Sequence, residues 1–571
     1  MVGTKKTRQF TYNHFSMAKR QYIHQYQPAE DIETIRIPIL GSAGNRGTSS
    51  SKDQRFVNGY FWEIKNPVTG KAVYQFVKRP GLSQNTRPPA GAATGRGLTV
   101  WKDNIYSVFD RKIYKGSTDL GITLTNAGTG ICGFAATRPG AATQYLGVND
   151  GTSLYLIATD DSVIILNNVT ITSSSVANPT VITATAHGLA TGNKIIIRDH
   201  SGSTPSINGT IYTVTVTGAN TFTIPVNVTV GGTGGTIGSF PTPSTADLLY
   251  VDGYFLTLKQ STVGLYNSEV DDPTTWDSTK FITPQMYNGL GVGIAHQNNL
   301  VFVFSETSLQ AFYNNANATG SPFSNYESAA KQHGACYVRN TIQSGLTITW
   351  VGTSLIGGNT VWAMTDVTGL KEIATTPVKL LLDAEGSSLG SATSILVRVA
   401  GKYLYVLNLA SADRTLVYDY DLEIWTEFEG TTTGTKWPIV ASCEKDHALL
   451  AQHGTNGWIY NVSPTVYQDD STNFTVLARF GRLDLDTMRK KVVKSYELIG
   501  DVQSSTTNVS LQYSDDDYVT LSTARTFDLA QSRPLLTRGG SFRRRAHQLS
   551  YAGSNPLRLE ALEMRYRFGS S

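Results

Sequence analysis

Apolar and polar residues alternate along this chain in short stretches, and the stretches come in groups. The stretch 98–101 (LTVW) is followed by 104–109 (NIYSVF) and 112–114 (KIY). The same theme returns from residues 154, 248, 291, 346, 395 and 439 onward. Period-two alternation gives a strand one buried face, so each group predicts an antiparallel meander of three or four strands. Dipeptides such as Asp252-Gly253 and Ala400-Gly401 join the first two strands of several groups, which is two-residue hairpin chemistry. The groups recur roughly every 45 to 55 residues, the spacing of propeller blades. The pattern predicts an irregular propeller of six or seven blades. A stack of β-sandwiches is the alternative that the same hairpins could build.

Two segments break the pattern. Between 168 and 239 the only charged residues are Lys194, Arg198 and Asp199, and Thr, Val, Ile and Gly dominate. This stretch predicts a small inserted β-barrel or sandwich. Its glycine-rich end 231–238 (GGTGGTIG), followed by Pro241 and Pro243, reads as a flexible return linker to a module that projects from its parent. From about 473 the strands are longer and carry basic residues between apolar ones, which predicts a C-terminal β-sandwich. The expected organisation is an arm (1–29), a propeller (30–167 and 240–465), an insert (168–239) and a sandwich (470–571).

Composition agrees with an all-β protein. Of 571 residues only 16% are charged, against about 25% in typical domains. Thr, Ser, Asn and the 53 Gly carry the polarity instead, which suits strands and turns and excludes helical bundles. The net charge of +4 is too small to mark a nucleic-acid binder by itself. Cys132, Cys336 and Cys443 are far apart, with no zinc-ligand spacing. The basic N-terminus lacks the apolar core of a signal peptide, and no 18 apolar residues run together, so no membrane span is expected.

Few constellations point to chemistry. Nine His are scattered without HxH or HExxH spacing, and neither a nucleophile elbow nor a Walker loop occurs. Asp160-Asp161, Asp271-Asp272 and Asp515-Asp516-Asp517 could serve a glycosidase or calcium, but they fall at turns, where Asp bonds its own backbone. Tyr106, Tyr254, Phe302, Trp362, Tyr405 and Trp458 recur at blade positions suited to the core between blades. No catalytic, cofactor-binding or metal-binding residue is expected. The strongest basic run is Arg543-Arg544-Arg545, with Arg538 nearby. Alternation would put Arg543 and Arg545 on one face, for phosphates or an acidic partner. The arm adds Lys5, Lys6, Arg8, Lys19 and Arg20 among aromatic residues that are costly to leave in water.

Several stretches, taken in order, resemble a known family. They are 54–58 (QRFVN) with 78–82 (KRPGL); 252–255 (DGYF), 272–277 (DPTTWD) and 300–307 (LVFVFSET); 331–336 (KQHGAC); 403–407 (YLYVL) with 415–419 (TLVYD) and Trp425; and 514–517 (SDDD) with 542–545 (FRRR). Together they are similar to the tail hub, or nozzle, of short-tailed bacteriophages, also called the packaged DNA stabilization protein. The insert resembles a small β-module common in phage structural proteins. The resemblance implies a non-enzymatic virion tail protein, a homohexameric ring below the portal and its adaptor. The ring would continue the DNA channel without sequence-specific binding, retain packaged DNA, and carry tail fibres or tailspikes. Arg538, Arg543, Arg544 and Arg545, with the arm's Lys5, Lys6, Arg8, Lys19 and Arg20, are then candidate subunit or adaptor contacts. The alternative is a tail-associated receptor-binding or glycan-degrading propeller. That would need carboxylates and arginines gathered at the propeller centre, and no spacing supplies them.

Overall fold

The computed structural model describes residues 32–40, 54–65, 70, 72–260, 262–286, 289–332, 338–353, 357–366 and 369–569. Among them, seven antiparallel four-stranded meanders follow one another. Blade 1 spans 95–123, blade 2 133–166, blade 3 249–282, blade 4 291–331, blade 5 343–372 and blade 6 393–428. Blade 7 takes three strands from 439–463 and its fourth, Gly81–Thr86, from ahead of blade 1. The first strands of neighbouring blades adjoin all the way round, blade 7 against blade 1 included, so the propeller is closed. Gln452 ties the closure. It is fully buried, donates to the Val108 carbonyl and accepts from the Gly97 N–H, both at 2.9 Å. The expected hairpins are present: Asp252 and Gly253 (φ 50° and 92°) and Ala400 and Gly401 (φ 49° and 83°) have the left-handed pairs that twisted two-residue turns need.

The insert leaves after the last strand of blade 2 and returns before blade 3. Its strand Lys194–Arg198 pairs in parallel with Val163–Leu166, so the module continues the sheet of blade 2 outward. One apolar core runs through both, from Trp101, Val148 and Tyr155 to Ile195, Phe222 and Ile237. Arg198 also donates to Thr275 Oγ1 (2.5 Å) in blade 3. The glycine-rich stretch is not a linker. Thr236–Ile237 is a strand paired with both Val169–Thr170 and Lys194–Arg198, and Ile237 is fully buried. Gly232 and Gly235 are small because backbone passes within 2.3 and 2.5 Å of where a Cβ would stand.

The C-terminal strands form a two-sheet sandwich, and N-terminal strands complete it. Glu33–Pro38 and Ala72–Lys78 pair with Arg558–Phe568, and Gly59–Lys65 extends the same sheet. Arg55–Val57 joins the other sheet beside Val476–Arg479 and also touches blade 6, Val57 opposite Glu427. The strands between 33 and 78, expected in the propeller, thus belong to the sandwich. Phe56, Phe61 and Phe76 fill its core with Tyr496, Leu562 and Met564.

The stretches QRFVN and KRPGL meet where the sandwich joins blades 6 and 7. Arg79, 1% exposed, grips Asp469 with two bonds (2.9 and 2.6 Å), reaches Asn58 Oδ1 (2.8 Å) and the Glu429 carbonyl (3.0 Å), and lies 3.8 Å from the Phe474 ring centroid. Arg55 binds Glu427 (2.7 Å) and Glu429 (2.8 Å), and Arg414 closes on Glu427 from the other side. Gly81 completes the clamp, since a Cβ there would stand 2.1 Å from the Gln468 carbonyl oxygen.

Candidate functional site: a basic concavity on the sandwich

The four sandwich arginines part company. Arg545 is 2% exposed and belongs to the fold. It holds Asp515 with two bonds (2.7 and 2.8 Å), donates to the Gly539 carbonyl (2.6 Å) and stacks 3.7 Å from the Tyr513 ring centroid. Arg544 pairs with Asp517 at 3.2 Å, and Arg543 donates to the Met488 carbonyl at 2.7 Å. The expected shared face of Arg543 and Arg545 is absent because residues 543–545 precede the strand Ala546–Tyr551, where alternation begins. Arg538 alone lines a hollow. The arm residues Lys5, Lys6, Arg8, Lys19 and Arg20 lie outside the described residues.

That hollow is an open concavity of about 520 Å³ between the strands Lys491–Gly500 and Leu535–Phe542. Lys490, Lys494 and Arg538 supply its cations, and Thr537 and Ser541 its hydroxyls. Lys494 sits where the register of its strand slips against both neighbours, at a β-bulge. Arg538 has a left-handed backbone, φ 61°. A bulge re-aims side chains, and left-handed non-glycine residues mark local strain. Lys490 and Lys494 were not among the sequence candidates, although the run 489–494 (RKKVVK) held the signal.

Other candidates resolve as structure. Asp160 accepts from the Ser162 N–H, Asp161 binds Lys115, Asp271 binds Arg138, and Asp516 accepts from the Thr520 N–H. Tyr106, Phe302, Trp362 and Tyr405 are buried between blades, and Tyr254 and Trp458 are half-buried. His453 accepts from the Thr455 and Asn456 N–H groups while His447 sits at a hairpin tip, and the described residues contain no cluster that could hold a metal. No helix among them is long and apolar enough to cross a membrane.

The inner rim of the propeller is bridged. Arg339, entering blade 5, donates to Asp247 (2.6 Å) and the Ala246 carbonyl (2.8 Å) ahead of blade 3, and to the Ile131 carbonyl (2.6 Å) ahead of blade 2. Asp247 in turn accepts from the Ile294 N–H of blade 4 at 3.1 Å. Arg339 thus ties the segments entering blades 2, 3 and 5, and Asp247 adds blade 4.

Two histidines, His547 buried and His453 half-buried, make the fold acid-sensitive. Burial, with Arg545 beside it, pushes His547 down to about 3, and burial pushes His453 down to about 4. The unfolded chain protonates both near pH 6.5, so below that pH it binds more protons than the folded one. Their stabilising effect is complete above pH 6.5 and is lost as pH falls toward 4, at about 1.4 kcal/mol per pH unit for each. Urea unfolding between pH 7 and 4 should show this slope, and the variant His547→Gln should flatten it. A slope identical in the variant would overturn the assignment.

Against known families, residues 199–467 match the model described as "Bacteriophage P22 Gp10, beta-propeller". The match covers blades 3 to 7 and the last part of the insert; the 54–82 and 514–545 stretches lie outside it. No curated protein sequence matches the chain. Among solved structures, the N-terminal domain of Nup159 is 10% identical with a TM-score of 0.33, covering 71% of this chain and 97% of that one. YCF48 bound to D1 peptide is 9% identical at 0.29, covering 68% and 100%. An exo-beta-1,3-galactanase from Phanerochaete chrysosporium with galactose is 8% identical at 0.24, covering 77% and 97%. Likeness at this level carries no functional argument. The family match, just under half of the chain, falls on blades whose meanders and closure are seen directly.

Proposed function

We propose that this chain is a structural component of the phage tail, a nozzle subunit that assembles in a homohexameric ring below the portal–adaptor complex. The ring continues the DNA channel, helps retain packaged DNA and carries tail fibres or tailspikes. The family match over 199–467 is the observation that carries this reading. The architecture supports it. A channel wall under internal pressure needs stiffness, and here propeller, insert and sandwich share continuous sheets and cores instead of hanging on linkers. A heterologous ring needs two different faces on each subunit, and a sandwich at one side of a propeller provides them. The role is mechanical and not catalytic.

Mass photometry and negative-stain imaging of the purified chain, alone and with the phage adaptor–portal complex, test the reading. A hexameric ring with an open lumen is the expected result. A monomer or trimer that ignores the adaptor would overturn it.

A further inference from the structure

A polyanion retained by this protein needs a path along it. The propeller axis offers none, since the Arg339 side chain alone reaches from blade 5 to the strands of blades 2 and 3, a gap far narrower than a duplex. The units also differ in charge. Residues 79–472 carry 21 Lys and Arg against 29 Asp and Glu, whereas 32–78 and 473–571, the stretches that supply the sandwich strands, carry 22 against 13. The sandwich is therefore the basic unit beside an acidic propeller, and its concavity gathers three cations with two hydroxyls and no carboxylate in its lining.

We infer that this concavity, with Lys490, Lys494 and Arg538 as its cations, grips the phosphate backbone of double-stranded DNA, so that the sandwich is the part of the subunit turned toward the channel. The inference rests on the tail reading above. Lys and Arg with Ser and Thr hydroxyls are the groups that contact phosphate oxygens without reading sequence. The bulge at Lys494 and the left-handed Arg538 lie on adjacent strands and serve one hollow, and Gly539 lets those strands close up, since a Cβ there would meet Val493 Cγ1 at 2.6 Å. Arg565 is exposed on the neighbouring strand, in register with Ser495, and Arg543 is exposed just past the strand Leu535–Phe542. The cations thus extend past one hollow, as a repeating anion requires. The grip is weak by construction. Each phosphate neutralised contributes a slope of about −0.9 in log K against log salt, so two or three contacts hold DNA without locking it.

The test is fluorescence anisotropy with a duplex of about 30 base pairs and the full chain, at about 50 to 200 mM salt. Lys494→Gln/Arg538→Gln is compared with wild type and with Arg533→Gln, which removes an exposed cation paired with Glu497 on the same sandwich. The double variant should bind about 10-fold more weakly at the lowest salt, with a salt slope smaller by about 2, while Arg533→Gln changes neither. Thermal unfolding of each variant confirms an unchanged fold, and mass photometry on the same samples reads assembly. Equal affinity and slope for wild type and the double variant overturn the inference. So does a double variant that keeps its DNA affinity but loses self-association or adaptor binding, which assigns the hollow to an acidic protein partner. Either failure with a wild-type ring intact leaves the tail reading standing; loss of the ring itself would strike that reading instead.

Discussion

Replacing Arg79 by methionine should destabilise the chain by about 3–5 kcal/mol, the usual cost of leaving one charge of a buried pair alone. Arg79 is 1% exposed, and its guanidinium satisfies Asp469, Asn58 and the Glu429 carbonyl at once. Removing it strands the buried Asp469 carboxylate and opens a gap over Phe474. The loss falls where the sandwich joins blades 6 and 7, so it should loosen propeller closure and sandwich together. Trp437, 5.5 Å from the guanidinium, gives a fluorescence readout of unfolding in urea. The double variant Arg79→Met/Asp469→Leu should recover most of the loss, because replacing both partners of a buried pair with apolar groups is often neutral. A single-variant loss below about 1 kcal/mol would mean that the clamp does not hold the junction.

Why this clamp was legible as a motif but not as a clamp is a matter of range. QRFVN and KRPGL stand out in the sequence, yet their partners lie 350 to 390 residues away, in Glu427, Glu429 and Asp469. The meanders were readable because their information is local: alternation sets the faces, and pairs such as Asp252-Gly253 set the turns. Partner choice between distant strands is not local. The strand Gly81–Thr86 (GLSQNT) is mostly polar, and nothing in it announces that it closes blade 7. The strands between 33 and 78 precede the first blade in the chain, and the complementary core of Phe56, Phe61 and Phe76 directs them to the sandwich. Local rules also misassigned residues when applied outside regular structure. Alternation would place Arg545 beside Arg543, but Arg543 stands in a bend and Arg545 is bridged to Leu483, so one points out and the other in. The concavity was half visible: Arg538 was a candidate, whereas the bulge that brings Lys494 beside it is a feature of pairing and not of composition.

The glycine-rich stretch 231–238 gives the largest expected contrast between composition and structure. Gly235→Val should cost about 3–5 kcal/mol and Gly234→Ala about 1–2, although a linker would tolerate both. Gly235 has φ 86°, and a Cβ there would stand 2.5 Å from the Arg198 carbonyl oxygen and 2.6 Å from the His200 nitrogen. Those atoms are backbone and cannot swing aside, and a β-branched residue is the least able to adopt a left-handed conformation. Gly234 is also left-handed, φ 73°, but nothing lies within 4 Å, so alanine there meets only the conformational cost. The damage at 235 should spread. Its carbonyl accepts from the Ile171 N–H, and the next strand buries Ile237 in the core that continues into Val148 and Tyr155 of blade 2. A mobile module on a linker would unfold alone and leave the propeller's transition in place; a module that shares its core should pull blades 1 and 2 down with it. Limited proteolysis with heating should therefore cut Gly235→Val within 95–239 at temperatures where wild type and Gly234→Ala resist. Equal resistance of all three would restore the linker reading, and with it an insert that moves freely instead of bracing blade 2 against blade 3.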